Sequence, residues 1–439
     1  MSEKLVKENF KREIGVRSLV LAIINMTVGT GIFVVPAIIG IKLGASAILA
    51  YLLCGGLIFL IALCFAELGS KTEISGGTYT YIENAFGPFA GFLANNIYWF
   101  GSCVFADAAI ANALADTISY FIPAFSHIVY RSLFFVCIFS VLAMVNMKSV
   151  KNGIRLVEFT AIGKIVPLLI FILVSSFHII PANLSWTSAP TLNSLGASSL
   201  LLFFAFMGLE TPLSNGGEIK NPGKTVPAGI FLAILLILIL YISIQLIVQG
   251  VLGDNLSVYK EAPLAAIAGM VFGKTGSLII ILVTIISMFG AICSSVLSIP
   301  RILFSGARDG LFPKPLSKIH HRFLTPHVAI GVYALIDLVF AILGDFGSLA
   351  TLASAGSLLV YLGIVLAIIR LRRKKDAEEK PSFRVPGGLL VPVLASAVII
   401  WLLYNLSKAE IWGIVIFSLI LSVLYLISRY IRKRKADPS

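Results

Sequence analysis

From Phe231 to Leu252 the chain reads FLAILLILILYISIQLIVQGVL, with no charged residue anywhere in the run. A helix of about 20 apolar residues crosses the hydrocarbon core of a bilayer. A helix that is apolar on every face must bury itself in a protein core or in lipid. Runs of this kind recur along the whole chain of 439 residues. Hydropathy places spans near 17–40, 44–69, 90–119, 131–147, 156–177, 195–217, 226–251, 277–306, 327–344, 347–369, 386–405 and 411–430. The expected class is an all-α polytopic membrane protein with about twelve transmembrane helices. Charged residues make up 13% of the chain and hydrophobic residues 58%, with a mean hydropathy of +0.98. Soluble domains carry about 25% charged residues. Too few charges remain here for the polar surface of a soluble enzyme, a disordered chain or a nucleic-acid binder.

The net charge of +13 is explained by where the charges lie. Lys and Arg concentrate in alternate loops. One side of the predicted membrane holds 28 of them, including the segment before the first span and the tail after the last, and the other side holds 5. Positive loops stay in the cytoplasm, so both termini are expected there, in a multi-pass protein of the cell membrane. Residues 1–16 form a charged cytoplasmic segment suited to a short amphipathic helix. Residues 370–385 form a basic loop, and 431–439 a basic tail, that can touch anionic lipid. The five cysteines, Cys54, Cys64, Cys103, Cys137 and Cys293, fall inside apolar runs and show no disulfide framework.

Two spans contain an interruption. The first reads Val28-Gly29-Thr30-Gly31-Ile32-Phe33 with Pro36 following, and the sixth reads Phe206-Met207-Gly208-Leu209-Glu210-Thr211-Pro212. Glycine and proline loosen helices. Irregular backbone at membrane depth is tolerated where it lines a cavity or is buried in protein. Breaks in the first and sixth spans, which run in opposite directions, predict two inverted five-helix repeats over 17–177 and 195–369, with 386–430 as two additional helices. Free N–H groups at such a break suit a carboxylate and free carbonyls suit an ammonium. An amino acid carries both on one carbon. At this point Gly29, Gly31 and Gly208 are expected to resist bulky substitution.

Ionisable residues inside spans point to the same region. Lys164 lies in the fifth span, about 14 Å beyond Arg155 at 1.5 Å per residue. Glu210 and Asp107 fall near the middle of the sixth and third spans. A charge at that depth costs about 2.5–3.5 kcal/mol on insertion scales and faces the bundle interior. A structural hydrogen bond is an equal reading for Asp107. Glu67 and Glu158, near span ends, read as structural or gating.

These motifs resemble the amino acid–polyamine–organocation transporter superfamily. VGTGIF is similar to its first-span signature, and Phe203–Pro227 (FFAFMGLETPLSNGGEIKNPGKTVP) to its sixth-span signature. GGTYTYIENAFGP at 76–88 and ARDGLFP at 307–313 are similar to two of its loop motifs. The resemblance covers nearly the whole chain. It implies a LeuT-like 5+5 inverted repeat with two further helices and transport of an amino acid. By the same resemblance, a substrate carboxylate meets backbone N–H groups at Thr30 and Gly31. Its amino group meets carbonyls around Thr27 and at Phe204 and Met207, and Phe204 closes over it. Gly29 and Gly208 belong to the same breaks. Gly101, Ser102 and Ala106 of the third span, with Ser294 and Ser295 of the eighth, match positions that line the site. Lys164 matches a lysine that stands where sodium sits in sodium-coupled relatives, which implies proton coupling and a contact from Lys164 to the first and eighth spans. Glu210 and Asp107 are the remaining coupling or gating candidates. Asp107 has no counterpart in the family pattern and leaves a cationic substrate open.

The expected function is therefore secondary active transport by alternating access, as proton-coupled uptake of neutral amino acids, with exchange of amino acids or polyamines as the alternative. An integral membrane enzyme is the reading of a different class. The loops carry no cluster of acid, base and nucleophile to support it. No metal-ligand spacing, cofactor motif or phosphate-binding glycine loop is present, so no cofactor or metal is expected. The partners are the substrate, protons and the lipid bilayer, without nucleic acid. The oligomeric state stays open.

Overall fold

The computed structural model describes residues 14–71, 79–119, 122–148, 150–186, 189–208, 219–308, 312–323, 325–373 and 383–436. Glu210, most of the 1–16 segment, the centre of the 370–385 loop and parts of the motifs at 76–88, 203–227 and 307–313 lie outside the described residues.

The described residues are helical, and none forms a strand. The first span comprises α1 (Val16–Thr27) and α2 (Gly31–Leu43). After α3 (Ala47–Lys71) and the short α4 (Tyr79–Phe86), the third span runs from α5 (Pro88–Asn96) through a π-helical stretch (Ile97–Val104) into α6 (Phe105–Ser119). Next come α7 (Ile128–Lys148), α8 (Val150–Ser175) and α9 (Leu192–Phe203). The second half holds α10 (Pro222–Leu252), α11 (Pro263–Ser298), α12 (Pro300–Arg308), α13 (His327–Leu343), α14 (Phe346–Arg373), α15 (Leu390–Tyr404) and α16 (Lys408–Ala436). Among the described residues, seven helical stretches are long and apolar enough to cross a membrane, and five shorter apolar helices accompany them. The chain is thus a multi-pass helical membrane protein.

The glycine and proline positions explain the boundaries. Gly273, at φ 69°, interrupts α11 and separates a short entry helix from the long one. The π-helical stretch contains Gly101, where the backbone of the third span meets Gly356 of α14 so closely that a Cβ on Gly356 would stand 2.5 Å from Gly101 O. Small residues of this kind let membrane helices approach.

Two contacts tie distant segments together. Ile14 pairs with Ile219, and Lys220 N–H donates to Ile14 O at 2.9 Å, so the entry to α1 and the chain just before α10 lie side by side. At the end of α3, buried Glu67 accepts both Arg372 Nε, at 2.9 Å, and Arg372 Nη2, and also Val385 N–H at 2.8 Å. Arg372 donates in addition to Gly388 O at 2.6 Å. A bidentate Arg–carboxylate pair is among the stronger polar contacts available. It joins α3, α14 and the chain leading to α15, a contact that fits the structural side of the structural-or-gating expectation for Glu67.

Candidate functional site

The two breaks lie against each other. In the first, α1 ends at Thr27, Val28 N–H closes the last turn on Ile24 O, and Gly29 N–H folds back to Thr27 O at 2.8 Å. Helix α2 begins at Gly31 without a side-chain cap. Among the described residues, no backbone bond uses the N–H groups of Thr30 and Gly31. Uncapped N–H groups at a helix start, with the positive end of the helix dipole, form an anion site. In the second break, α9 tightens into a turn of 3₁₀ helix at Phe204–Phe206. Met207 is then extended, and Gly208 takes φ +106°, a conformation side chains disfavour. A Cβ on Gly31 would stand 2.6 Å from Ala205 Cβ, and one on Gly208 would stand 3.1 Å from Met26 O. The glycines at 31 and 208 are therefore what lets the breaks touch. Gly29 differs: a Cβ there would meet only Thr27 O, at 3.9 Å. Packing alone does not demand glycine at 29.

Two side chains fasten this junction. Lys164 of α8 is 7% exposed, and its Nζ donates to Asn25 O at 2.6 Å. Asn25 carries one of the last carbonyls of α1, where the helix dipole favours a cation. The expected contact with the first span is thus present. Among the described residues, no hydrogen bond joins Lys164 to α11, the eighth span. The second side chain is Tyr241, fully buried on α10. Its hydroxyl lies 2.8 Å from Thr27 O and 2.7 Å from Ala205 O, so one proton serves a carbonyl in each break. The Phe206 ring packs edge-on against Tyr241, with centroids 5.1 Å apart. Sequence reasoning passed over Tyr241. Its signal was the only tyrosine in the apolar run from 231 to 252.

The engagement of the carbonyls matters chemically. Thr27 O already faces both Gly29 N–H and the Tyr241 hydroxyl, so an ammonium there must displace one of them. Among the described residues, Phe204 O meets only the long Met207 N–H contact, at 3.4 Å. Among the described residues, the buried hydroxyls of Thr27 and Thr30 and the buried amide oxygen of Asn25 have no partner. Phe204 packs edge-on to Phe346 at 5.8 Å, whereas Phe203 is wholly buried against Tyr361.

The remaining predicted residues sit elsewhere in the bundle. Gly101 and Ser102 face α14, and Ser357 Oγ donates to Ser102 Oγ at 3.0 Å. Ala106 and Ser294 are half-buried on α6 and α11. Asp107 is buried, and it accepts from the Tyr333 hydroxyl at 3.1 Å and from the Ser295 side chain. The structure therefore joins Thr27, Gly31, Gly208, the Phe204 turn and Lys164 into one node, with Gly101 and Ser102 in a helix crossing and Asp107 with Ser295 in a separate polar group.

Removing the Tyr241 hydroxyl takes the shared proton from Thr27 O and Ala205 O, leaving Thr27 O with Gly29 N–H alone, a loss of about 1–3 kcal/mol. Tyr241→Phe is expected to lower the melting temperature of the purified protein, and Tyr51→Phe, which no hydrogen bond holds, to lower it far less. Equal melting of Tyr241→Phe and the native protein would show that the hydroxyl does not hold the junction.

Residues 14–431 match the family model described as amino acid permease. The chain is 28% identical to the methylthioribose transporter of Bacillus subtilis (strain 168), over 99% of this chain and 96% of that protein. It is 26% identical to the branched-chain amino acid permease BcaP of the same organism, over 97% and 94% respectively. It is 28% identical to the serine/threonine exchanger SteT, also of that organism, over 88% and 89%.

Proposed function

The chain belongs to the amino acid permease family, and on that premise we propose that it is a secondary active transporter taking up neutral amino acids with protons by alternating access. The observation that carries the substrate class is the pair of touching breaks. Free N–H groups open α2, and a weakly engaged carbonyl at Phe204 lies in the facing turn. An α-amino acid satisfies both with its shared carboxylate and ammonium. A site built on backbone groups reads that common core and leaves side-chain choice to pocket shape. This accounts for the different amino acids in the names of two of the similar proteins, a branched-chain amino acid permease and a serine/threonine exchanger.

In this reading Thr30 and Gly31 take the carboxylate, and carbonyls near Thr27, Phe204 and Met207 take the ammonium. Phe204 closes over the site, and Gly208, at positive φ, gives the backbone room to do this. Gly101, Ser102, Ala106, Ser294 and Ser295 line the approach. The architecture is two inverted five-helix repeats, 17–177 and 195–369, with two added helices at 386–430. The Lys/Arg asymmetry puts both termini in the cytoplasm and the protein in the cell membrane. Lys164, holding Asn25 O with a titratable ammonium, is the coupling residue. Asp107 is occupied by Tyr333 and Ser295, which favours a neutral over a cationic substrate. Exchange is the second reading, and the similarity to the serine/threonine exchanger favours it.

Counterflow of labelled amino acids in proteoliposomes tests the proposal. Trans-stimulated entry of at least one neutral amino acid is expected, and entry into empty vesicles driven by an inward proton gradient separates symport from exchange. Absence of counterflow for every amino acid would overturn the substrate class.

A further inference from the structure

Asp337 lies on α13, ten residues past its start at His327, about 15 Å along the helix axis at 1.5 Å per residue. It is wholly buried, and among the described residues neither carboxylate oxygen has a hydrogen-bond partner. One turn earlier on the same helix, Tyr333 donates to Asp107 Oδ2 at 3.1 Å. Residues four apart share a helix face, so Tyr333 and Asp337 both face α6, where Asp107 lies. The Ser295 side chain of α11 also bonds Asp107. The junction of the two breaks uses none of these groups.

The surroundings supply no positive charge. The π-helical stretch before α6 brings Cys103 close to Tyr333. Helix α7 packs on α13 and carries Arg131, engaged by Asp116 and Asn112, and Lys148, exposed at its far end. Helix α12 carries Arg301 and Arg308, both exposed. Among the described residues, no Lys, Arg or His is bonded to Asp107 or Asp337. Two adjacent carboxylates cannot both stay ionised without a cation at this depth. Hydrogen bonds from Tyr333 and Ser295 stabilise an anion at Asp107, while Asp337 has nothing to stabilise one. The orphaned oxygens of Asp337 therefore require a ligand, and the smallest that fits a buried gap between two acids is a proton.

We infer that Asp107 and Asp337 form a second proton-binding site in the membrane interior, apart from Lys164, with the proton carried on Asp337 and Asp107 as its hydrogen-bonded anionic neighbour. The site loads from one face of the membrane and unloads to the other as the helices rearrange. It goes beyond the coupling role given to Lys164 and does not depend on it.

Infrared difference spectroscopy on the full chain in phospholipid, labelled with carbon-13 at the aspartate carboxyl, tests this. A step from mildly acidic to mildly alkaline pH should remove a labelled carboxylic-acid C=O band from the native protein. Asp337→Asn keeps the Tyr333–Asp107 bond and should abolish that band, while Asp116→Asn should leave it. The Lys164→Ala variant should retain the band, so a failure of lysine coupling is read separately. No labelled acid band in the native protein would overturn the inference. So would a band that survives in Asp337→Asn, or one that ignores the pH step, which would mark a permanently neutral structural acid. Loss of the band on adding sodium or arginine at constant pH would assign the site to a larger cation instead. If Asp337→Asn fails to fold, the pH step and cation additions on the native protein still decide.

Discussion

A Gly31→Val variant is expected to insert into the membrane and to take up no substrate. The added Cβ would stand 2.6 Å from Ala205 Cβ and 2.7 Å from Ala205 Cα. Contacts that short force backbone to move, and the branched side chain adds two further methyl groups. Overpacking of a close-packed interior costs about 1–3 kcal/mol. Here the displaced atoms are the broken segments themselves, so the damage falls on binding more than on insertion. Valine raises the hydropathy of the span, which leaves membrane insertion intact. Gly29→Ala is the matched control, because a Cβ at 29 meets only Thr27 O at 3.9 Å. Counterflow near the native rate is expected for Gly29→Ala and background for Gly31→Val. Native counterflow by Gly31→Val would remove the touching breaks as the site.

The second large effect concerns Lys164. Its ammonium holds Asn25 O at 2.6 Å, at the end of α1 that borders the first break. Lys164→Ala leaves that carbonyl without its donor and removes the titratable group. Accumulation driven by an inward proton gradient is expected to fall to the equilibrated level, while counterflow survives in part. Lys164→Arg keeps the positive charge and hydrogen-bonding capacity but does not release a proton in a protein. It too is expected to lose gradient-driven accumulation. Native uptake should be indifferent to sodium. Accumulation by the arginine variant equal to the native protein would make Lys164 a structural charge at a helix end and would withdraw proton coupling through it.

Both variants could be foreseen from the sequence. The importance of Gly31 and Gly208 is local, since glycine beside proline within an apolar run announces a break. Lys164 is local too, because a lone ammonium in a span must face the interior. The same rule applies to Asp337, a single carboxylate in the run ALIDLVF, whose partner could be found only once α6 and α13 were set side by side. For Gly101 and Ser102, the family pattern points to the substrate path, whereas their visible contacts are with Gly356 and Ser357 of α14. A glycine that admits a ligand and one that admits a neighbouring helix look alike in sequence.

The sequence by itself determined that this chain is helical and membrane-spanning, and that its helices are interrupted near residues 29–31 and Gly208. These follow from hydropathy, Gly and Pro, properties that act within one helix length. The tertiary structure alone decided which polar groups meet. Tyr241 reaches Thr27 and Ala205, Lys164 reaches Asn25, and Tyr333 reaches Asp107, pairs separated by 214, 36, 139 and 226 positions respectively. Each pairing depends on how a helix is rotated about its axis and how closely it crosses its neighbours. An apolar helix in lipid has no strong amphipathic stripe to announce that rotation. Close packing of small residues, and the need of each buried donor or acceptor for a partner, set it instead.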